Sequence, residues 1–380
     1  RSMNTHPLLV GLRHGPDCLL QNLDLVNKRG LVLRVSEKLY RDASFLDDRM
    51  FTPQMEGYWF PLDAIAETLD GLAVPTPHYI FQVGHCGSTL ISRLLAELPG
   101  NLPVREPISL LTLAMTRRDL GRASSWVSET QWQRWFDLAS RALSRTCRSG
   151  DRAIIKVTSA AGNLLEALPS RPEDAPRTLL MYLDLESFLT VMLRTSSLRD
   201  SIHAYSPAWI TDFCRLTGRD DIGLSELSDA QQVVIKWLTL MLLFTRATET
   251  APTRTRLLNF DDFLKNPAEQ LNSIAEHFQL KSSGDEIEKL AAGPLMRSYS
   301  KIPTQNFNPG QREQELVEAR QQFRDEIRIG LDWAEKMCSE TPALSPVGRY
   351  LHTGPQIASG ALACRWPETA NCGPSTLETR

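Results

Sequence analysis

From residue 77 onward, short apolar runs alternate with helix-length amphipathic stretches. The runs "HYIFQVG" (78–84), "NLPVRE" (101–106), "RAIIKVT" (152–158), "RTLLMYLD" (177–184) and "TRLLNFDD" (255–262) predict strands. Helices are expected near 88–98, 108–118, 129–146, 161–168, 186–195 and 228–250. Strands separated by helices pair in parallel through right-handed crossovers. The predicted fold is therefore α/β, a three-layer α/β/α arrangement around a central parallel sheet with helical cap elements. The most apolar window, "VVIKWLTLMLLF" (233–244), is interrupted by Lys236 and too short to span a bilayer, so it reads as a buried core helix. A late amphipathic helix over 311–337 is expected to lie across the sheet or cap.

Punctuation divides the rest. Residues 1–75 read as a mixed segment packed on the core, with a strand in "RGLVLRVS" and a helix in "PLDAIAETLDGL" beginning at Pro61. The prolines of "VPTP" close that segment, because proline resists helix and strand interiors. Residues 76–340 form the main domain. Residues 341–380 carry little periodicity and are expected to be loosely structured.

Composition narrows the classes. Hydrophobic residues make up 42% of the 380 and charged residues 23%, ordinary values for a globular protein. A formal charge of −3 provides no basic field, which excludes a nucleic-acid role on this ground. The seven cysteines are odd in number, widely spaced and contain no CxxC pair. That argues against a disulfide framework and against zinc, and points to a reducing cytoplasm. The start shows no charged-then-apolar leader, and "RSMN" reads as an expression remnant ahead of Met3.

Chemistry concentrates in "YIFQVGHCGSTLISRLL" (79–95), a strand, a glycine-bearing turn and a helix. In an open parallel sheet, ligands sit beyond the carboxyl ends of strands. Gly84 and Gly87 let successive N–H groups converge there, Ser88 and Thr89 add hydroxyls, and a helix N-terminus adds about half a positive charge. The kinase-type pattern G-x-x-x-x-G-K-[ST] is not met, and Ser88 stands where its lysine would follow the glycine. What remains suits a single 5′-phosphate-type group rather than a β,γ-phosphate pair with magnesium.

The run His85-Cys86-Gly87-Ser88-Thr89-Leu90 resembles the 5′-phosphosulfate loop of sulfotransferases that use 3′-phosphoadenosine 5′-phosphosulfate (PAPS), written K/R-[ST]-G-[ST]-[ST]-L. "VREPISLLTLA" (104–114), "LLNFDDFLKNPAEQLNSIAEHFQL" (257–280) and "RSYSKIP" with "QQFRDEIRIGLDWAEKM" are similar to later blocks of bacterial members, so the resemblance spans roughly 78–337. It implies a cytoplasmic, metal-independent transferase. Such an enzyme moves a sulfuryl group from PAPS to a hydroxyl or amine of a small-molecule acceptor. The alternatives are a nucleotide-dependent phosphotransferase on the same fold or an inactive nucleotide-binding relative.

The resemblance also implies roles. Lys156 matches the strand lysine taken to contact the transferring group. Glu106 matches the base that follows the loop helix in several carbohydrate and tyrosyl sulfotransferases; its other reading is a pair with Arg105. His85 replaces the loop cation, as a donor to the leaving oxygen, a general base, or a hydrogen-bonded residue without chemistry. Cys86 reads as a small filler. The 3′-phosphate anchor departs from the pattern: Leu183-Asp184 stands at the strand end where the family has arginine, and Val191-Met192 where it has serine. Arg194 with Ser196, Ser197 and Arg199, or Lys301, are the replacements offered. Trp132 and Trp135 share a helix face, as core packing or an acceptor platform. Asp261 and Asp262 at a strand end resemble a metal pair, but the family block makes them structural. Nothing in the sequence specifies the acceptor or the oligomeric state.

Overall fold

The computed structural model describes residues 6–169, 175–297 and 309–351. The N-terminal segment is richer than its pattern suggests. It contains helix α1 (Pro7–His14), strands β1 (Cys18–Asp24) and β2 (Arg29–Arg34), helix α2 (Glu37–Asp42), strand β3 (Gly57–Pro61) and helix α3 (Leu62–Leu69). The strands pair antiparallel in the order β1-β2-β3, and Lys28 at φ 52° turns the first hairpin.

The main sheet follows: β4 (His78–Gln82), α4 (Ser88–Ala96), β5 (Asn101–Arg105), α5 (Ile108–Arg117), α6 (Glu129–Leu143) and β6 (Arg152–Lys156). A 3-10 stretch over Ser159–Ala167, where a helix was expected, leads to β7 (Thr178–Tyr182). Beyond it lie α7 (Leu185–Leu193), α8 (Ser196–Thr217), α9 (Asp229–Thr250), β8 (Thr255–Asn259), α10 (Phe260–Lys265), α11 (Pro267–His277), α12 (Gly284–Ala291), α13 (Pro309–Gln322) and α14 (Arg324–Glu340). The five expected strands all form. Those of β4, β5 and β7 are buried along their whole length, as parallel strands covered by helices on both faces must be. The architecture is the expected three-layer α/β/α. β1 lies against α5 and α6, which joins the small sheet to the large one.

Strand order is β5-β6-β4-β7-β8, all parallel. The chain leaves β4 toward one edge, returns to pair β6 beside it, then crosses to β7 on the other side. The carboxyl end of β4 is thus a topological switch point, where connections diverge and leave a crevice.

A helical cap rises above that end. Trp237 Nε1 donates to the Leu183 carbonyl at 2.9 Å, whereas Leu189 meets Ala230 around Gly330. α7 therefore runs antiparallel to α9, away from the sheet. α8 comes back parallel to α9, with His203 beside Asp229 at 3.3 Å and Arg246 donating to the Leu216 carbonyl at 3.1 Å. α9 is buried from Ala230 to Thr245 and is the expected core helix. Among the described residues, no helix is long and apolar enough to cross a membrane.

Two expectations need correction. The helix predicted over 311–337 is two helices broken at Phe323, because α13 rests on α7 while α14 rests on α9 as well. The segment expected to be loose from Thr341 is ordered at its start, where Pro342–Leu344 and Gly348–Tyr350 form 3-10 turns that bury Leu344 and Val347; residues 352–380 lie outside the described residues. α8 has no counterpart in the sequence reading, since Pro207 sits inside it and signals a break.

Candidate functional site

The loop between β4 and α4 is forced by its glycines. Gly84, His85 and Gly87 all take positive φ, at 106°, 52° and 71°. A Cβ on Gly87 would stand 2.0 Å from the Phe260 ring, and one on Gly84 would stand 2.9 Å from Lys236 Nζ. A side chain is excluded at Gly87 by strain and by space, and disfavoured at Gly84 by strain. Gly87 is the cap of α4, so the positive end of the helix faces the switch point.

The loop side chains divide. Cys86 is buried, its Sγ is 3.5 Å from the Met181 carbonyl, and burial pushes its thiol up; it fills space, as expected. Thr89 and Leu90 are buried as well. Ser88, expected to donate toward a bound anion, donates to Gln82 Oε1 at 2.9 Å instead. His85 is half-buried, and its left-handed backbone is uncommon for a residue with a side chain.

Lys156 ends β6 in register with Ile80 of β4 and Arg105 of β5, so it stands at the same sheet edge as the loop. It forms an ion pair with Glu106, in which the lysine side chain is 1% exposed and the carboxylate 14%. Glu106 takes φ 53° and donates its N–H to the Lys156 carbonyl at 2.7 Å, which extends the ladder one residue past β5. Gln82 joins this pair to the loop: its Nε2 donates to Glu106 Oε1 at 3.2 Å and its Oε1 accepts from Ser88.

Arg105 does not pair with Glu106. Successive strand residues face opposite sides of a sheet, and Arg105 turns inward. It donates to Ser92 and to the carbonyls of Tyr40, Arg41 and Ala43 at 2.8–3.1 Å. Burial, with Arg93 and Arg41 nearby, pulls its guanidinium down to about 9.

Two groups missed in the sequence border the pair. From the N-terminal segment, Phe45 places its ring 5.9 Å from Lys156 Nζ. Arg49 stacks on that ring at 3.4 Å, pairs with Asp47, and has Glu106 and Tyr205 among its electrostatic neighbours. From the cap, Lys236 reaches Gly84 between the rings of Trp209 and Phe188. Gln82 and Lys236 each left a signal, as a polar residue inside an otherwise apolar element. Phe45 and Arg49 left none.

The candidates for a 3′-phosphate anchor lie farther along. Asp184, at the strand end, is used as the cap of α7, accepting from Ser187 N and Oγ at 2.9 Å. Arg194 follows α7, about 15 Å along its axis from that cap, and pairs with Glu315 at 3.9 Å. Ser197 Oγ is 3.3 Å from Thr195 Oγ, and Arg199 donates to the Leu193 carbonyl at 3.1 Å. Lys301 lies outside the described residues. Trp132 and Trp135 are buried on α6, with Trp132 Nε1 donating to the Leu113 carbonyl, so they pack the core. Asp262 pairs with Lys265 at 2.7 Å, and no His, Cys, Asp and Glu group suited to a metal ion occurs among the described residues.

No protein-family profile and no curated protein matches the sequence. Among solved structures the chain is similar to the sulfotransferase domain from the curacin biosynthetic pathway, at 13% identity and TM-score 0.38 over 67% of this chain and 99% of that one. It is also similar to a sulfotransferase from Alicyclobacillus acidocaldarius, at 12% identity and TM-score 0.32 over 70% and 97% of the two chains. A third is the mouse sulfotransferase SULT7A1 complexed with PAP, at 10% identity and TM-score 0.36 over 77% and 97%.

Proposed function

We propose that the chain is a sulfotransferase that moves a sulfuryl group from PAPS to the hydroxyl or amine of a small molecule. The observation that carries this reading is the meeting of the glycine loop, Lys156 and Glu106 at one switch point, linked through Gln82. Sulfuryl transfer needs a seat for the donor's 5′ end, a cation for the transferring oxygens and a base for the acceptor proton. The loop, Lys156 and Glu106 are the groups assigned to these three tasks.

In this reading the backbone of His85–Leu90 and the end of α4 hold the phosphosulfate. The acceptor oxygen attacks sulfur, and a new S–O bond forms as the bond to the bridging oxygen breaks. The electron pair leaves on the 5′-phosphate, with His85 as hydrogen-bond donor to it. The acceptor proton passes to Glu106. Lys156 turns from Glu106 to the charged sulfuryl oxygens as they enter. Arg194, Ser197 and Lys301 are the groups assigned to the 3′-phosphate. The thiols of Cys18, Cys86, Cys147, Cys214 and Cys338 are free, which fits a reducing cytoplasm.

A second reading, a nucleotide-binding relative without turnover, is favoured by the use of Asp184 as a helix cap and by the inward turn of Ser88. Melting the protein with adenosine 3′,5′-bisphosphate, and separately with ATP and magnesium, discriminates, because a ligand of the folded state raises the midpoint. Stabilisation by the bisphosphate together with sulfate transfer to an acceptor panel is expected. Stabilisation without transfer selects the second reading, and a response to ATP with magnesium alone selects the phosphotransferase alternative instead.

A further inference from the structure

The loop that the proposed reading fills with two adjacent anionic groups carries His85 as its one ionisable side chain besides Cys86. A lysine reaches it from a different part of the chain. Lys236 belongs to α9, a helix buried from Ala230 to Thr245, and is itself 4% exposed. Its head does not run back to solvent along the helix. The faces of Trp209 and Phe188, 4.8 and 5.4 Å from Nζ, hold it, and ring faces attract a cation.

Those rings aim the ammonium at the mouth of the loop. A Cβ on Gly84 would fall 2.9 Å from Lys236 Nζ and 3.4 Å from Ser159 Oγ. Gly84 opens the loop, and Ser159 lies three residues beyond Lys156. Lys236 Nζ and Ser159 Oγ therefore both face Gly84 at the start of the loop. The φ of 106° keeps this position a glycine and leaves the ammonium room beside the backbone.

We propose that Lys236 is the donor-binding cation of this loop, supplied from α9 beside the position where His85 replaces the loop cation. It takes the charged oxygens at the 5′ end of the bound nucleotide and steadies the charge that collects on the leaving phosphate. The inference rests on the sulfuryl-transfer reading for the identity of the nucleotide, but not for the anionic character of the ligand.

The test uses the full chain, with adenosine 3′,5′-bisphosphate and inorganic pyrophosphate as probes in titration calorimetry. Lys236→Met keeps the contact with Trp209 and Phe188 and removes the charge. It is expected to weaken whichever probe binds the unaltered protein by about 30-fold, with Lys236→Arg retaining part of the affinity. The Lys236→Met protein should keep a single cooperative melting transition, so that a loss of affinity reports the charge and not the fold. Unchanged affinity in Lys236→Met overturns the proposal. Binding of pyrophosphate but not of the bisphosphate by the unaltered protein rejects the sulfotransferase reading and leaves Lys236 to be decided on pyrophosphate. Binding of neither probe overturns both.

Discussion

At the scale of single residues, the pair Lys156–Glu106 decides most. Each partner neutralises a charge that the low-dielectric edge of the sheet would otherwise penalise. Lys156→Ala leaves Glu106 with Gln82 as its side-chain hydrogen-bond partner among the described residues, and is expected to cost about 3 kcal/mol and to lower the proposed sulfate transfer by orders of magnitude. Replacing both, as Lys156→Met with Glu106→Leu, should recover most of that stability without recovering turnover. Urea titrations of the two single variants and the double variant measure this. Additive losses in the double variant would show that the residues do not depend on each other. The meeting of Lys156 and Glu106 at one sheet edge was legible because each stands at the end of a short apolar run. Phe45 and Arg49 were not, because nothing local in "DASFLDDRM" says which strand end it will reach.

At the scale of elements, the strands were legible and the cap was not. Apolar runs bounded by polar punctuation identify buried parallel strands well. α8 hides behind Pro207, and the break between α13 and α14 is set by the helices they rest on, which no local pattern encodes. The junction of α11 with the start of β4 gives a measurable property. His78 accepts from Arg177 N at 3.2 Å and stacks on Phe278 at 5.5 Å; His277 Nε2 is 3.0 Å from the Thr178 carbonyl. Burial first, then the charge of Arg152, pulls His78 down to about 3, and burial pulls His277 down to about 4. Both rings are neutral in the fold and titrate near 6.5 when unfolded. Their stabilisation is complete above about pH 6.5 and is lost as pH falls through the folded values. The melting temperature should drop steadily from pH 6.5 toward 4. The double variant His78→Asn/His277→Asn should show a flatter profile; an equally steep one would assign the acid sensitivity elsewhere.

For the whole molecule, the small antiparallel sheet and the large parallel one share buried structure. Arg105 is buried in β5, yet three of its acceptors are carbonyls of Tyr40, Arg41 and Ala43, and Leu46 N donates back to the Arg105 carbonyl at 2.7 Å. A chain shortened to begin at Val74 would keep the full switch-point topology but strand this guanidinium without those acceptors. It is expected to lack a cooperative melting transition, whereas the full chain should show a single one by calorimetry. A shortened chain that melts cooperatively near the full-length midpoint would refute the dependence. The break between α3 and β4 at "VPTP" was legible; the interdependence across it was not, because it rests on one arginine meeting three backbone oxygens.

In the proposed reading, the latch between Lys156 and Glu106 has a kinetic consequence. While the ammonium grips the carboxylate, the assigned base is occupied, and an acceptor arriving early would meet a closed ion pair. The sulfuryl oxygens of an incoming donor would compete for the same ammonium and so unlock Glu106. That reading therefore expects a compulsory order, nucleotide before acceptor.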